Sequence, residues 1–398
     1  MINLLKYKIA VPLINYYRNN KLLYQRKIAV NHIEHNFEVF KSNINEADIY
    51  KNLEKTVLRF VSNSKVSENE YLYSKSSKHP TLYASMYACL IYKMFGKIDD
   101  LNSDSVLSWK SFFDSYQSPK DGLFYDNLTN NKLFFQGDWW GVRHLAVHTL
   151  NAYNALGLKP KYELNYIKNF YKEDKISSIL KFDNIMNNDS DNLIINIASL
   201  LQFQRDLFHD SAASSAIDFL KNELIAKYNN DLGGWGKLDL KDPSQLSRYV
   251  QYIYHILTVF TYDKECPLNH NLVAKNVLKT QNKYGGYGIY SNSSACEDID
   301  SIFILMKCYP FVEKKLKEKI NLSFKNALYW ILFNQSKDGG FQFRLGEDFI
   351  YGSNFTKNKS FEGSMFPTWF RCLSLSYILN HLKIKNKFVS NNSPSFHN

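Results

Sequence analysis

The chain has 398 residues, and its content of 45% hydrophobic and 22% charged residues makes a well-filled core feasible. It contains no window of about 20 apolar residues, so we expect no membrane span. The formal net charge is +11, but the lysines are scattered and no nucleic-acid-binding motif accompanies them. We therefore expect no nucleic-acid partner.

Residues 1–20, "MINLLKYKIAVPLINYYRNN", carry charges inside their apolar stretch and have no small-residue cleavage site, so they are a poor signal peptide. They predict a packing helix, and contact with a membrane surface stays open for them. The chain has five cysteines, an odd number, with wide spacing and no CxxC pair. This usage is typical of a reduced, cytoplasmic protein without a disulfide framework.

Six strongly apolar stretches predict buried helices, and more amphipathic segments lie between them. The apolar stretches begin at His79, Gly141, Asn192, Leu246, Asp298 and Phe366. Six inner helices alternating with six outer ones predict an all-α (α/α)6 toroid, with the inner-helix starts at one mouth of a central cavity. An open helical solenoid without a cavity is the alternative.

We expect N-terminal helices at 1–65 that pack on the toroid, the toroid itself at 66–385, and a disordered tail at 386–398, "NKFVSNNSPSFHN".

Four glycine-containing turns recur along the chain and indicate a repeat. They are "QSPKDGLF" from Gln117, "YNNDLGGWG" from Tyr228, "QNKYGGYG" from Gln281 and "NQSKDGGFQF" from Asn334. Each combines a polar lead, one or two glycines and an aromatic residue. The interval between the first two turns is about twice the later intervals, which indicates a unit near residue 180 that has lost the pattern. Glycine permits the positive φ at which a helix stops and the chain turns.

The Gln-x-x-x-Gly-Gly-aromatic turns resemble the glutamine–aromatic repeat of squalene–hopene cyclases and of protein prenyltransferase β subunits. The resemblance covers residues 70–385 as an architecture and implies the α/α toroid of that superfamily. Class II terpene cyclases carry Asp-x-Asp-Asp at the start of an inner helix, and here 298–301 reads "DIDS". The resemblance therefore implies that Asp300 donates a proton and that Asp298 assists, although Ser301 replaces the last acid.

Glu297 and His144 are the further catalytic candidates, because either could help to keep Asp300 protonated. The same three acids in four positions also fit a plain helix cap, since acidic side chains favour a helix N-terminus. The zinc site of prenyltransferases needs an Asp, a Cys and a His. Cys296 and Asp298 are present but the last inner helix has no suitable His. We predict no metal and no cofactor.

The remaining candidates lie on the predicted inner helices and in an enlarged last unit. His144 and His148 are four apart and share a helix face, which predicts a hydrogen-bonded pair or, less simply, two metal ligands. Arg143 near a helix start needs an anionic partner, either a substrate group or the acidic cluster. The predicted substrate-binding residues are Trp139, Trp140, Arg143, His148, Asn192, Asn196, Tyr252, Glu362, Trp369 and Arg371.

Three functions remain open, each with a small-molecule partner in the cavity. The resemblance implies acid-initiated chemistry on an isoprenoid, with aromatic rings stabilising a carbocation. The alternative is a carbohydrate-active toroid, in which Asp298 or Asp300 pairs with Glu362, or basic side chains hold a charged sugar. A third interpretation is a binding scaffold without catalysis.

Overall fold

The computed structural model describes residues 2–129 and 138–396, with side chains from residue 18 onward. Its α-helices are α1 Ile2–Ser42, α2 Ile49–Asn63, α3 Leu82–Met94, α4 Ser103–Asp114, α5 Val142–Ala155, α6 Glu173–Ile179, α7 Ser190–Phe208, α8 Ser211–Ala226, α9 Pro243–Tyr262, α10 His270–Leu278, α11 Ala295–Cys308, α12 Lys314–Phe333 and α13 Met365–His381. Short 3-10 helices span Glu46–Asp48, Asn165–Tyr171 and Tyr309–Phe311, and an antiparallel hairpin joins β1 Phe349–Ile350 to β2 Lys357–Asn358.

Six inner helices form a closed ring. Helices α3, α5, α7, α9, α11 and α13 contact one another in that order, and α13 contacts α3. Helices α2, α4, α6, α8, α10 and α12 each precede one inner helix along the chain and form the outer layer. The predicted (α/α)6 toroid is confirmed, and the open solenoid is wrong because the last inner helix packs on the first.

The glycine turns bind neighbouring units of the toroid, as the turn at Gln281 shows. Gln281 donates from Nε2 to the carbonyl of Gly285 at 2.8 Å and to that of Ser323 on α12 at 2.9 Å. Gly285 has φ +101°, and a Cβ there would lie 2.3 Å from the Asn326 carbonyl oxygen. Only glycine fits this position, and the glutamine supplies the hydrogen bonds that the turn makes to its neighbour. The repeated pattern therefore has an architectural cause.

The last of these turns closes the ring on α2. Gln335 donates to the Thr56 hydroxyl at 2.8 Å, and a Cβ on Gly339 would lie 2.3 Å from the Thr56 carbonyl oxygen. Helix α2 is thus the outer helix of the first unit, although the boundary expected at residue 66 places it outside the toroid. A further turn, with Lys65 bridged to Tyr71, lacks the glycine pattern and was missed for that reason.

Helix α1 is held by the loop that follows the last turn. Arg26 forms an ion pair with Glu347 at 2.8 Å, and Lys21 forms one with Asp348 at 2.6 Å. Contact with a membrane surface stays a prediction for residues 1–20, because most of their side chains lie outside the described part of the chain. No helix in the described part of the chain is long and apolar enough to cross a membrane.

The tail from residue 386 differs from the expected disorder. As far as Phe396 it packs across the C-terminal ends of inner helices, where the Val389 amide donates to the Met94 carbonyl at 2.9 Å. Asn154 donates to the Asn391 side chain and to the Asn392 carbonyl, each at 2.9 Å. The prediction of disorder from polar composition was wrong. The amide side chains of the tail and of the helix ends form hydrogen bonds with one another and with carbonyl groups, and these bonds order the tail.

Candidate functional site

A cavity of about 320 Å³ lies inside the ring, toward the N-terminal ends of the inner helices. Helices α5, α7, α9 and α11 contribute most of its wall. The hairpin, the segment before α5 and the tail complete it. Aromatic rings and polar side chains alternate around the wall, which includes Trp139, Tyr254, Phe343, Tyr351 and Phe366 among the aromatic residues. This is the size and lining of a pocket for a small molecule.

Asp300 is the buried acid of this cavity. It lies in the second turn of α11, is 4% exposed, and faces the cavity. Across residues 2–129 and 138–396, no group donates a hydrogen bond to its carboxyl. Burial raises its pKa well above the ordinary value, and the negative charges of Glu297 and Asp191 raise it further. Burial and these neighbouring charges therefore favour the protonated form of Asp300, which is the form that can donate a proton to a ligand.

Asp298 has a different environment, although it is only two residues away. Its carboxylate pairs with Arg371 at 2.6 Å and accepts hydrogen bonds from Ser293 at 2.8 Å and from the Trp330 indole at 3.1 Å. Asp298 and Arg371 are 1% and 0% exposed, and neither lines the cavity. The pair joins α11 to α13. The structure thus places Arg371, a predicted substrate-binding residue, outside the cavity wall.

Glu297 caps the helix. The Ser294 hydroxyl accepts from the Glu297 amide at 3.2 Å, and the Glu297 carboxylate accepts from the Ser294 amide at 2.8 Å, which forms a capping box. Arg344 also pairs with this carboxylate at 2.7 Å. Glu297 lines the cavity, and its Oε2 is the oxygen that binds both Ser294 and Arg344. The cap interpretation accounts for Glu297 and leaves Asp300 unexplained.

A charged group that the sequence pattern did not reveal lies near Asp300. Arg248 donates to both carboxylate oxygens of Asp191, at 2.9 and 2.7 Å, and His255 bonds the same carboxylate through Nδ1 at 2.7 Å. Burial alone would raise the Asp191 pKa, but its bonds to His255 and Arg248 outweigh burial and lower it. A carboxylate only accepts, so Nδ1 carries the hydrogen and Nε2 is the free base in neutral His255.

His255 lines the cavity with its ring held in place by Asp191. The signal in the sequence was the seven-residue spacing from Arg248 to His255, which puts both on one face of α9. Asp191 could not be joined to them because it lies on another helix. An imidazole fixed by a buried carboxylate is a common arrangement for a general base.

The two histidines of α5 form the predicted hydrogen-bonded pair. Their Nε2 atoms are 3.0 Å apart, and the Tyr83 hydroxyl lies 3.1 Å from His144 Nδ1. Burial lowers the pKa of His144 to about 3, with His255 adding to the effect, and burial lowers that of His148 well below its usual value. Both are neutral at physiological pH. No group of three or more potential metal ligands occurs in the part of the chain that the structure describes.

Arg143 has its anionic partner within the protein. Its guanidinium bonds both carboxylate oxygens of Asp138, at 2.5 and 2.7 Å, so neither a substrate group nor the acidic cluster fills this role. Asn196 donates to the Asp138 carbonyl at 2.7 Å, and Asn192 donates to Asp189 at 2.5 Å. Both asparagines line the cavity, where the sequence analysis expected them.

Of the other predicted substrate-binding residues, only Trp139 is in the cavity wall besides His148 and the two asparagines. Trp140, Tyr252 and Trp369 are buried in the packing behind it. The apolar character of these side chains indicated burial, but could not distinguish a cavity wall from the core outside it.

Glu362 does not pair with Asp298 or Asp300. Its carboxylate accepts from the Ser76 hydroxyl at 2.7 Å and from the Lys359 amide at 2.8 Å, outside the cavity. The enlarged last unit does reach the cavity, but through the hairpin and Tyr351, whose ring stacks on Phe366 at 4.3 Å. The fold of the hairpin decides which side chain of the insertion points inward.

No family model matches this chain, and no curated protein matches it. Among solved structures it is similar to a possible member of GH105 family from Salmonella enterica subsp. enterica serovar Paratyphi A str. ATCC 9150. The identity is 11% over 85% of this chain and 95% of that one, with a TM-score of 0.35. This likeness is too slight to carry an argument.

The resemblance to terpenoid cyclases and prenyltransferases is wrong. No family model and no curated protein of that superfamily matches this chain. The turns that suggested the resemblance have the architectural cause given above. Asp298, the first acid of the supposed motif, forms an ion pair with Arg371.

Proposed function

We propose that this protein is a carbohydrate-active enzyme that cleaves a glycosidic bond in the central cavity, with Asp300 as general acid and His255 as general base. One observation carries the proposal. A buried carboxyl without a hydrogen-bond partner among the described residues shares a cavity wall with an imidazole that a buried carboxylate orients. A group that can donate a proton and a group that can accept one, held in one cavity, are what acid–base catalysis requires.

The polar groups of the wall support a saccharide ligand. Asn192, Asn196 and Gln251 present amide groups to the cavity, and each amide can both donate to and accept from sugar hydroxyls. Trp139 and Phe343 add ring faces, which suit the apolar faces of sugar rings. Each of these amides already has one partner in the protein, and a ligand made only of hydrocarbon would form no hydrogen bond with the amide groups that remain.

We assign the second catalytic role to a histidine because the other acid in the wall caps a helix and forms an ion pair through one of its oxygens. Glycosidases commonly use two carboxyl groups, but Glu297 is bound to Ser294 and Arg344. In the proposed step Asp300 protonates the departing glycosidic oxygen. His255 Nε2 takes a proton from water, whose oxygen bonds to the anomeric carbon as the carbon–oxygen bond breaks. The proton then returns from His255 to Asp300 through solvent.

The test is turnover of a panel of neutral and acidic oligosaccharides, followed by mass spectrometry of the products. Asp300→Asn and His255→Gln should each lower kcat by roughly 10²-fold or more, since each removes one proton-transfer group. Asp218→Asn is the matched control, because Asp218 is an exposed acid on the outer helix α8 and does not line the cavity. Circular dichroism verifies that each variant is folded.

The same panel separates catalysis from mere binding. A saccharide at about 100 times its Kd stabilises a protein by about 2.7 kcal/mol, which a thermal-shift assay detects. Stabilisation without any product would favour the scaffold interpretation. Full turnover by Asp300→Asn would refute the assigned acid, and the absence of both stabilisation and turnover across the panel would refute a saccharide ligand.

A further inference from the structure

The tail enters the toroid from the end opposite to the catalytic groups. Val389 bonds the last turn of α3, and Asn391 and Asn392 bond Asn154 in the last turn of α5. Inner helices α3 and α5 therefore present their C-terminal ends to this segment. The contacts fix the path of the tail from the rim toward the middle of the ring.

The end of the described tail lies inside the cavity. The Ser395 hydroxyl bonds that of Ser199, midway along α7. The Phe396 ring lies 4.7 Å from the ring of His148 and 4.9 Å from that of Trp369. Ser395 and Phe396 both line the cavity, and Phe396 is only 8% exposed. A side chain this buried and this surrounded by rings is part of the wall.

The opposite end of the cavity is open to solvent. Trp139 lines the cavity and is 41% exposed, and it lies just before α5, at the N-terminal ends of the inner helices. His144, in the first turn of α5, is near this opening, whereas His148 lies one turn deeper and touches Phe396. The cavity thus has a mouth at Trp139 and a floor at Phe396.

We propose that Phe396 is a specificity-determining residue that forms this floor and limits the ligand to the end of a saccharide chain. The inference rests on the proposed function, and it names the substrate class as short oligosaccharides or chain termini. A polymer bound along its length needs a passage open at both ends, and the tail occupies the second one. The volume of about 320 Å³ agrees, since it is near the lower limit for ligand pockets.

The position of the floor can be tested without any substrate. Phe396→Ala should leave an apolar hole beside His148 and Trp369, and such holes bind small aromatic molecules. We expect toluene to raise the Tm of Phe396→Ala and to leave the wild-type chain unchanged. Ser390→Ala is the control, because Ser390 is an exposed residue of the same tail. No toluene shift in Phe396→Ala would overturn the floor.

The effect on specificity is measured as the ratio of kcat/KM for a six-unit over a two-unit oligosaccharide. We expect the ratio to rise about tenfold or more in Phe396→Ala, and in a chain shortened to end at residue 390, because pocket contacts discriminate by such factors. The Ser390→Ala ratio should equal that of the wild type.

An unchanged ratio in a variant that does bind toluene would overturn the role in specificity. If toluene binds but no variant turns over any saccharide, the proposed function fails and the chain-length claim falls with it. That result is distinguishable from failure of the floor, which the toluene shift reports by itself. If the shortened chain does not fold, Phe396→Ala alone decides the question.

Discussion

Asp298→Asn should destabilise the protein strongly, whereas the same change at Asp300 should not. Asp298 is 1% exposed and Arg371 is 0% exposed, with 2.6 Å between the guanidinium and the carboxylate. Removing one partner of a buried ion pair leaves the other charge without compensation, which costs about 3–5 kcal/mol. Arg371 keeps hydrogen bonds to the carbonyl oxygens of Gln342 and Ser293. These carbonyl groups satisfy the donors of Arg371 but leave its charge uncompensated. We therefore expect Asp298→Asn to lower the free energy of unfolding by about 3–4 kcal/mol or more.

The measurement is urea unfolding of the three chains at pH 7, followed by far-ultraviolet circular dichroism and analysed by linear extrapolation. Asp300→Asn is the matched control, being the same substitution on the same helix at a residue with no hydrogen-bond partner in the described part of the chain. We expect its free energy of unfolding to equal or exceed that of the wild type. A loss below about 1 kcal/mol for Asp298→Asn would contradict the division into one structural and one free carboxyl.

Three further results are expected. Stability gained by Asp300→Asn should grow as the pH rises above the ordinary value of 3.8, by up to about 1.4 kcal/mol per pH unit. The reason is that the raised pKa keeps the folded wild type protonated while its unfolded chain releases the proton; a pH-independent difference in urea titrations would contradict the buried acid. Gly339→Ala should cost roughly 1–3 kcal/mol more than Gly157→Ala, because both glycines have positive φ but only Gly339 would place a Cβ against a carbonyl oxygen, at 2.3 Å; equal losses of unfolding free energy would argue against the close approach. His144 and His148 should show no protonation between pH 5 and 8 in imidazole NMR spectra, since burial lowers both pKa values; a titration with a midpoint near 6.5 would show that the pair is open to water.

The acidic cluster at the start of α11 shows what local sequence can and cannot predict. "EDID" at a helix start predicted both a cap and a proton donor. Glu297 forms the cap, and Asp300 faces the cavity as the proposed donor. Residues two apart on a helix point about 200° from one another, because each residue turns the helix by about 100°. Asp298 and Asp300 therefore could not both face the cavity. The sequence contains that constraint but does not say which of them faces inward.

The helices and turns of the toroid could be predicted from local sequence, because residues close together in the chain specify glycine turns at positive φ and long apolar helices. The side-chain pairs that define the candidate site could not be predicted in this way. Asp298 finds Arg371 at a separation of 73 residues, and Asp191 finds His255 at a separation of 64. Packing of the inner helices into a closed ring brings these side chains together. A buried charge is stabilised by an opposite charge that is close in space, whatever the separation along the chain. The sequence alone thus determined the helices and turns, whereas the tertiary structure decided which acid is free, which histidine is oriented, and which residue forms the floor.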